Sequence, residues 1–307
     1  MEMKTIRSVK LHTGSREEKI PGFHPDFPYI ASRVDFDYFR EAFVPWHWHK
    51  AVEIFYMESG ELRYCTPNGT AVFPKGSGGM VNSNVLHMTK TESHRQKNMQ
   101  YIHIFDPDLL AGKYGNLIQQ KYLAPITGDS RLEMIALYPD DPKQAKIIQR
   151  IRRAFQIQET EPGYELRIRE AMTGIWLELL KISLPEEREK PIVSEKLADK
   201  IKAMMLYIQE HYAEKISDQE LAASVFLSER ECYRVFQQCL HMTPLEYMKS
   251  YRLQAACQML VNSQEPVTEI GQACGMGSGS YFGKKFREYT GCTPREYRRK
   301  WQDSNKK

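Results

Sequence analysis

This 307-residue sequence has no long apolar run, no closely paired cysteines and only a small excess of one charge. No apolar stretch approaches the roughly 20 residues that a membrane-spanning helix requires, and Met1 to Thr5 lead into polar sequence rather than the apolar core of a signal peptide. The six cysteines form no C-x-x-C pair and are too sparse for a disulfide scaffold. We therefore expect a cytoplasmic protein with reduced thiols and no membrane partner.

The net charge of +4 is too small to indicate any partner by itself. From Lys284 to Lys307, however, basic residues clearly outnumber acidic ones. A cationic end of this kind suits an anionic polymer or surface, although a solvated C-terminal end explains the charge equally well.

The hydrophobic pattern changes period along the chain. From Phe43 to Phe105 it alternates and is broken by turn signals, which favours a β-sandwich or barrel. After Pro139 apolar residues recur at steps of three and four, which predicts two amphipathic helices between Ile147 and Leu180. Because this apolar stripe is wide, we expect the two helices to form a homodimer interface; the alternative is that they only cover the β-rich region.

A proline-bracketed segment without apolar residues, Pro185 to Pro191, marks a linker. Everything beyond Val193 reads as helices separated by short turns. We therefore predict three parts: residues 1–184 as an effector-binding and dimerisation domain, 185–193 as a linker, and 194–307 as an all-α domain.

A pattern in the C-terminal part occurs twice, about 50 residues apart. Each copy reads as a short helix, a tight turn and a second helix that begins at a serine N-cap, Ser228 or Ser278. Such helix-turn-helix units place their second helix in the major groove of DNA. The recurring residues are Ser228 and Ser278, Phe236 and Phe286, Thr243-Pro244 and Thr293-Pro294, and Tyr247 and Tyr297.

Helical spacing separates an inner and an outer face on each second helix. In the first copy Cys232, Val235 and Phe236 are expected to pack inward, and in the second copy Tyr281, Phe282 and Phe286. We expect the first copy to specify the DNA sequence and the second, with small residues and phosphate-binding cations, mainly to add affinity. For Arg230, Tyr233 and Arg234 the alternative interpretation is an ordinary solvated helix face. The candidate DNA-binding residues are Arg230, Tyr233, Arg234, Gly279, Ser280, Lys284, Lys285, Arg287 and Arg298.

The second copy contains a long signature: Val267-Thr268-Glu269-Ile270, Ala273-Cys274-Gly275, Ser280-Tyr281-Phe282, Lys285-Phe286-Arg287, Gly291, Thr293-Pro294 and Tyr297-Arg298. It resembles the signature of the AraC/XylS family of bacterial transcription factors. The resemblance implies tandem helix-turn-helix units joined by a long helix, here Pro244 to Val261, with two recognition helices in successive major-groove segments. The chain departs from the family pattern at Phe226 (usually glycine), Cys232 (usually leucine) and Met276 (usually phenylalanine).

Two histidines and a glutamate stand close together in the β-rich part. Strand period places His47, His49 and Glu53 on one face, and His87 lies on a later strand. Imidazoles and a carboxylate that converge in this way suit a divalent transition metal, although buried histidines also serve as hydrogen-bonding groups. We therefore treat these four residues both as candidate metal ligands and as candidate effector-binding residues.

The spacing H-x-H, three residues, E, six residues, G, ending at Gly60, resembles the cupin motif. The second cupin motif is matched at Gly76 and His87 but not at Asn82, Asn84 and Thr91. The resemblance implies a small β-barrel of jelly-roll type with a central pocket, which is the usual N-terminal partner of such a DNA-binding part and typically holds a small effector such as a sugar. Two aromatic residues, Trp48 and Tyr64, complete the candidate effector-binding set.

These observations predict a two-domain transcription regulator rather than an enzyme. Its partners would be double-stranded promoter DNA, a small-molecule effector of the carbohydrate class, a second copy of the chain and, for an activator, RNA polymerase. The alternative is a metal-dependent cupin enzyme with a fused DNA-binding tail, but an enzyme has no need of two helix-turn-helix units.

Overall fold

The computed structural model describes residues 4–6, 20, 23–24, 26–36, 43–92, 97–112, 116–129, 131–183 and 194–302. The chain divides into two units, Met1–Glu195 and Lys196–Lys307, which we call the N-terminal unit and the C-terminal unit. The predicted linker, 185–193, lies outside the described residues, as does Lys307 at the basic end. Within the described ranges, no helix combines the length and apolar character needed to cross a membrane.

Two β-sheets form the N-terminal unit. The larger sheet has the strand order β1-β2-β9-β4-β7-β10 and the smaller one β3-β8-β5-β6. The strands are β1 Lys4–Ile6, β2 Tyr29–Asp35, β3 Phe43–His47, β4 Val52–Ser59, β5 Glu61–Thr66, β6 Gly69–Pro74, β7 Gly78–Val81, β8 His87–Thr91, β9 Met99–Phe105 and β10 Met134–Leu137.

The closed barrel implied by the cupin resemblance is not what these strands form. The larger sheet has β1 and β10 at its edges, paired with β2 and β7. Both edge strands lie outside the β-rich segment from Phe43 to Phe105 that contains the cupin-like motifs. Because they occupy the edges that strands of the smaller sheet would need, the described strands make two separate sheets, as in a sandwich.

Strand β4 is buried on both faces, which explains its almost unbroken apolar sequence. Val52 and Ile54 join the cluster that contains the helices, whereas Phe55 and Met57 join the cluster between the two sheets. The strand alternation therefore divides β4 between two cores.

Helices cover one face of the larger sheet. Their bounds are α1 Asp108–Ala111, a π-helical turn Gln119–Leu123, α2 Ala124–Thr127, α3 Pro142–Ala154 and α4 Tyr164–Ser183. Helix α3 begins where Asp141 accepts hydrogen bonds from the backbone of Lys143 and Gln144, with Pro142 in the first turn. The two amphipathic helices predicted after Pro139 are thereby confirmed.

The apolar stripe of α3 and α4, whose width was the sequence argument for a dimer interface, packs within the chain. Ile147, Ile151, Met172 and Leu179 are each at most 2% exposed and pack in one cluster with the strands of the larger sheet. The stripe is wide because the sheet and the two helices share it, so the chain covers it by itself.

Seven helices are described in the C-terminal unit: α5 Glu195–His211, α6 Asp218–Ala223, α7 Glu229–Leu240, α8 Pro244–Asn262, α9 Val267–Ala273, α10 Gly279–Thr290 and α11 Pro294–Gln302. Helices α6 and α7, and again α9 and α10, are the two helix-turn-helix pairs. The predicted serine N-caps are confirmed, since the side chains of Ser228 and Ser278 accept hydrogen bonds from the backbone of Glu231 and Tyr281.

The two tight turns have different residues, Phe226 and Gly275, at the matching position of positive φ. In the second turn Gly275 has a φ of 65°, and a Cβ there would lie 2.8 Å from the carbonyl oxygens of Tyr212 and Ala213. Only glycine fits this position. In the first turn Phe226 has a φ of 57° and its side chain is 95% exposed, so a larger residue is accommodated because it points away from the unit.

Candidate functional site

The outer face of α7 carries the residues expected to read DNA. Arg230 and Arg234 are exposed, and Cys232 is fully buried. Tyr233 is half-buried, and its hydroxyl donates a hydrogen bond to Asp218 on α6 over 2.9 Å. The two arginines therefore present exposed hydrogen-bond donors on this helix, whereas the hydroxyl of Tyr233 already has a partner within the helix pair.

Helix α10 presents smaller residues. Gly279, Ser280, Lys284 and Arg287 are exposed, and Lys285 donates to Glu288 over 2.6 Å. The outward row predicted from the sequence is thus accessible, but part of the charge of Lys285 is balanced on its own helix.

The expected packing of Tyr281 is wrong, because its side chain is 41% exposed. Phe282 and Phe286 are fully buried, one helical turn apart. Tyr281 lies about 100° around the helix from Phe282, which turns it away from the core.

A groove beside α10 adds a cation that the sequence argument missed. Lys284 and Arg287 line it together with Thr293, Pro294 and Arg295 at the beginning of α11. Arg295 follows directly on the repeated Thr-Pro pair, and this proximity to a helix N-terminus was the available signal. The groove therefore places three cations next to the second recognition helix.

Arg298 has a different environment from the other candidates. It is half-buried, and its guanidinium donates to the carbonyl oxygens of Leu260, over 3.2 Å, and Glu265, over 2.5 Å. Arg252 on α8 does the same for the carbonyls of Tyr212 and Glu214. Both arginines hold the chain at the end of the preceding long helix, so the structure ties Arg298 to α8 rather than placing it on the exposed row.

The buried polar cluster of the N-terminal unit lies where the two sheets meet. His47 ends β3, His49 follows in the turn, Glu53 lies on β4 and His87 begins β8. All four are at most 5% exposed. One ring nitrogen from each histidine lies within 4.8 Å of those of the other two, so the structure brings the predicted residues together.

Each histidine of this cluster is oriented by a main-chain carbonyl two residues away. The Nδ1 atoms of His47, His49 and His87 lie 2.8 Å, 2.8 Å and 2.9 Å from the carbonyl oxygens of Pro45, Ala51 and Val85. This hydrogen bond assigns the proton to Nδ1 and leaves the lone pair of Nε2 for the cluster. The Nε2 of His87 is buried and has no hydrogen-bond partner among the described residues.

Glu53 completes the cluster. Its Oε2 lies 3.6 Å from Nε2 of His49 and 3.9 Å from Nε2 of His87. Burial alone would raise the pKa of Glu53, but hydrogen bonding and charge from His49, His87 and Tyr64 outweigh it and hold the pKa below its usual range. The carboxylate is therefore ionised among the histidines.

Burial also keeps His87 and Tyr64 uncharged by shifting the pKa of each side chain. Burial, with repulsion from His47, lowers the pKa of His87 well below its usual value. Burial, with the nearby charge of Glu53, raises the pKa of Tyr64 well above its usual value. Neutral His87 and ionised Glu53 thus supply an imidazole nitrogen and a carboxylate, which are donors of the kind that transition metals bind.

The two aromatic residues predicted to bind an effector, Tyr64 and Trp48, lie in different environments. Tyr64 belongs to the cluster, since its hydroxyl donates to Oε1 of Glu53 over 2.8 Å. Trp48 is half-buried next to His47 and His49 in the sequence. Gln100, which donates to Tyr64 over 2.5 Å, was missed; its signal was a polar side chain at the second position of the largely apolar strand β9.

Comparisons with known proteins agree with the C-terminal geometry. Residues 221–300 match the family described as "Helix-turn-helix domain". The uncharacterized HTH-type transcriptional regulator YdeC of Bacillus subtilis is 26% identical over 260 residues, which are 84% of this chain and 87% of that protein. The HTH-type transcriptional regulator ArgR of Pseudomonas aeruginosa is 34% identical over 99 residues, 32% of this chain and 30% of that protein.

Two solved structures are similar over different lengths. An AraC-type transcriptional regulator from Chromobacterium violaceum is 31% identical over 33% of this chain and 91% of its own, with a TM-score of 0.33. Apo ToxT from Vibrio cholerae is 12% identical over 89% of this chain and 97% of its own, with a TM-score of 0.45. The C-terminal unit therefore contains a helix-turn-helix domain of the AraC type, and the chain is similar over most of its length to an HTH-type transcriptional regulator.

Proposed function

We propose that this protein is a sequence-specific promoter-binding regulator whose binding is controlled by a ligand in the N-terminal unit. The observation that supports the first half is the pair of helix-turn-helix units with exposed second helices, α7 and α10. The proposal that a ligand controls binding depends on the buried cluster around Glu53, because this cluster contains more polar atoms than a packed core needs.

The two recognition helices have different tasks in this proposal. Arg230 and Arg234 of α7 are long, exposed donors that can pair with guanine O6 and N7 in the major groove. Gly279 and Ser280 of α10 carry little information for a base but allow close approach, and Arg287 supplies a phosphate partner. Helix α7 then selects the sequence, and α10 adds affinity.

Two substitutions test this division. Arg234→Ala is expected to relax discrimination at one base pair by about 1–3 kcal/mol, whereas Arg287→Ala should weaken binding to all sequences and reduce the salt slope of log K by about 0.9. Titration of specific and nonspecific duplexes at several salt concentrations measures both. Lys215→Ala, which removes an exposed cation outside both recognition helices, is the matched control.

The outcomes separate the parts of the proposal. Equal loss of specific and nonspecific binding in both variants would show that the helices do not divide the work. Binding unchanged from the wild type in both variants would contradict the assignment of α7 and α10 to DNA.

We further propose that the cluster of His47, His49, Glu53 and His87 holds a divalent transition metal. Its support is chemical: three Nε2 lone pairs and one ionised carboxylate converge, and the buried Nε2 of His87 has no hydrogen-bond partner among the described residues. A bound ion would supply a cross-link between β3 and β8 of the smaller sheet and β4 of the larger one. The protein's own part is to orient each imidazole through its Nδ1 carbonyl bond.

Metal analysis of protein purified without chelators or a metal-affinity tag tests this site. We expect one divalent transition-metal ion per chain in the wild type and less than one in His87→Ala. A wild-type protein that stays free of metal with its histidines intact would contradict the proposal.

The same cluster bears on the enzyme alternative and on the effector. A catalytic metal keeps a coordination position open to substrate, whereas the four candidate ligands are at most 5% exposed. This burial favours a regulatory role over catalysis. A carbohydrate effector, the class that the cupin resemblance suggests, would have to use Trp48, since the ring of Tyr64 already stacks on Phe55 at a centroid distance of 4.5 Å.

Two partners complete the proposal. A second copy of the chain would present a second pair of recognition helices to a two-part promoter site. RNA polymerase would be contacted if the protein acts as an activator.

A further inference from the structure

A chain of three buried polar side chains ends at the candidate metal site. Gln100 donates to the hydroxyl of Tyr64 over 2.5 Å, and Tyr64 donates to Oε1 of Glu53 over 2.8 Å. A tyrosine hydroxyl has one proton, so accepting from Gln100 directs that proton to the carboxylate. The direction of both hydrogen bonds is thereby set.

The two oxygens of Glu53 consequently have separate surroundings. Oε1 is held by Tyr64, whereas Oε2 is the oxygen that lies 3.6 Å and 3.9 Å from the Nε2 atoms of His49 and His87. A carboxylate with one oxygen engaged in this way offers its other oxygen alone to a metal.

Neither donor in the chain can easily move. The ring of Tyr64 is 1% exposed, lies parallel to Phe55 at an interplanar angle of 2° and meets Phe73 edge to face. Gln100 is fully buried on β9, which pairs with β4 on the side opposite β7. The hydroxyl is therefore preorganised toward Glu53 by packing on one side and by the sheet on the other.

Two ligand-to-ligand distances, from Oε2 of Glu53 to Nε2 of His49 and of His87, are compatible with a four-ligand site of three nitrogens and one oxygen. Metal bonds of about 2.0–2.1 Å in tetrahedral geometry place ligand atoms about 3.3 Å apart. The separations from Oε2 to the two nitrogens are only slightly larger than this. A second carboxylate oxygen would raise the ligand number and favour metals that accept five or six ligands.

We infer that Tyr64, held by Gln100, is a positioning residue that restricts Glu53 to ligation through one oxygen and so makes the site selective for ions that prefer four ligands, such as Zn²⁺. This inference rests on the metal site proposed above. It assigns Tyr64 to the metal site instead of the wall of an effector pocket, and it gives Gln100 a reason to be buried in an apolar strand.

The test loads full-length apoprotein with Co²⁺ and compares the wild type with Tyr64→Phe. The wild type should show the intense visible absorption of four-coordinate cobalt. Tyr64→Phe frees Oε1, so its spectrum should weaken toward that of five-coordinate cobalt, and Zn²⁺ competition should show a Kd about 10–100-fold higher.

Tyr29→Phe is the matched control. Tyr29 is also buried in this unit, and its hydroxyl bonds to His103 over 2.7 Å, so its removal deletes a comparable hydrogen bond away from the cluster. Its cobalt spectrum and Kd should equal those of the wild type. If Tyr64→Phe behaves like Tyr29→Phe, Tyr64 is only a packing residue and the inference is overturned.

A second variant covers the case in which Tyr64→Phe does not fold. Gln100→Leu keeps the stacked ring and removes only its hydrogen-bond donor, and it should raise the Kd for Zn²⁺ in the same direction; an unchanged Kd overturns the inference. A wild type that binds neither Co²⁺ nor Zn²⁺ contradicts the metal site itself, whereas a metal-binding wild type with unaffected variants contradicts only the role of Tyr64.

Discussion

Individual buried polar residues connect the layers of the N-terminal unit. His103 on β9 is fully buried, with Nδ1 2.7 Å from the hydroxyl of Tyr29 and Nε2 3.2 Å from the carbonyl oxygen of Ile151 on α3. Its ring also stacks on Phe155 at 3.6 Å. One side chain thus links the larger sheet to its covering helices.

This histidine predicts a pH-dependent stability. Burial lowers the pKa of His103 from 6.5 to about 3. In the unfolded chain it gains a proton below about pH 6.5, whereas in the folded chain it stays neutral down to about pH 3. Its contribution to stability is therefore complete above pH 6.5 and falls, by about 1.4 kcal/mol per pH unit, as the pH decreases through this window.

Urea denaturation at pH 7.5 and pH 5 measures the effect. The free energy of unfolding should decrease less between these pH values in His103→Gln than in the wild type. His24→Gln, which replaces an exposed histidine whose side chain is 68% accessible, should keep the wild-type slope. Equal slopes in all three proteins would show that His103 does not carry the pH dependence.

At the scale of elements, strand β4 contributes to two cores because its side chains alternate between the two faces of the sheet. Alternate residues of β4 reach the polar cluster and the helix layer, so a change at Glu53 is one residue away from Val52 and Ile54 in the helix-facing core.

The elements themselves were predictable because N-caps and apolar spacing are local signals. The orientation of Tyr281 was not, because neighbouring apolar residues on a helix compete for one inward face.

The outward face of α4 gives the remaining dimer prediction. Leu166 and Leu177 are 73% and 43% exposed, and eleven residues make about three turns, which places both on one face. If this face is the dimer contact, Leu166→Glu with Leu177→Glu should convert a dimer to a monomer in light scattering at micromolar concentration. Leu245→Glu, at a 44% exposed leucine of the C-terminal unit, is the control; a wild-type monomer refutes the dimer.

At the scale of the whole molecule, the near-neutral net charge conceals two different units. Lys284, Arg287 and Arg295 gather around one groove of the C-terminal unit, whereas the charged oxygen of Glu53 in the N-terminal unit is enclosed by histidines. The net charge of +4 therefore describes neither the cationic groove nor the buried carboxylate. Charge matters here by position, since one set meets solvent and the other is kept from it.

Sequence alone determined what depends on neighbours along the chain. The paired helix-turn-helix units follow from caps, turns and helical spacing within each copy, which are local signals. The prediction that His47, His49 and Glu53 share one strand face was wrong, because His47 ends β3, His49 lies in the turn and Glu53 lies on β4 of the other sheet. Strand period therefore selected the right residues, but the packing of the two sheets brings them together.

Only the tertiary structure decided what depends on contacts between distant segments. It separated the sheets by placing β1 and β10 at the edges, used the apolar stripe of α3 and α4 within the chain, and turned Arg298 toward the end of α8. It also joined Gln100 and Tyr64 to Glu53 across β9, β5 and β4. Strand pairing sets such neighbours through long-range contacts that local period does not encode.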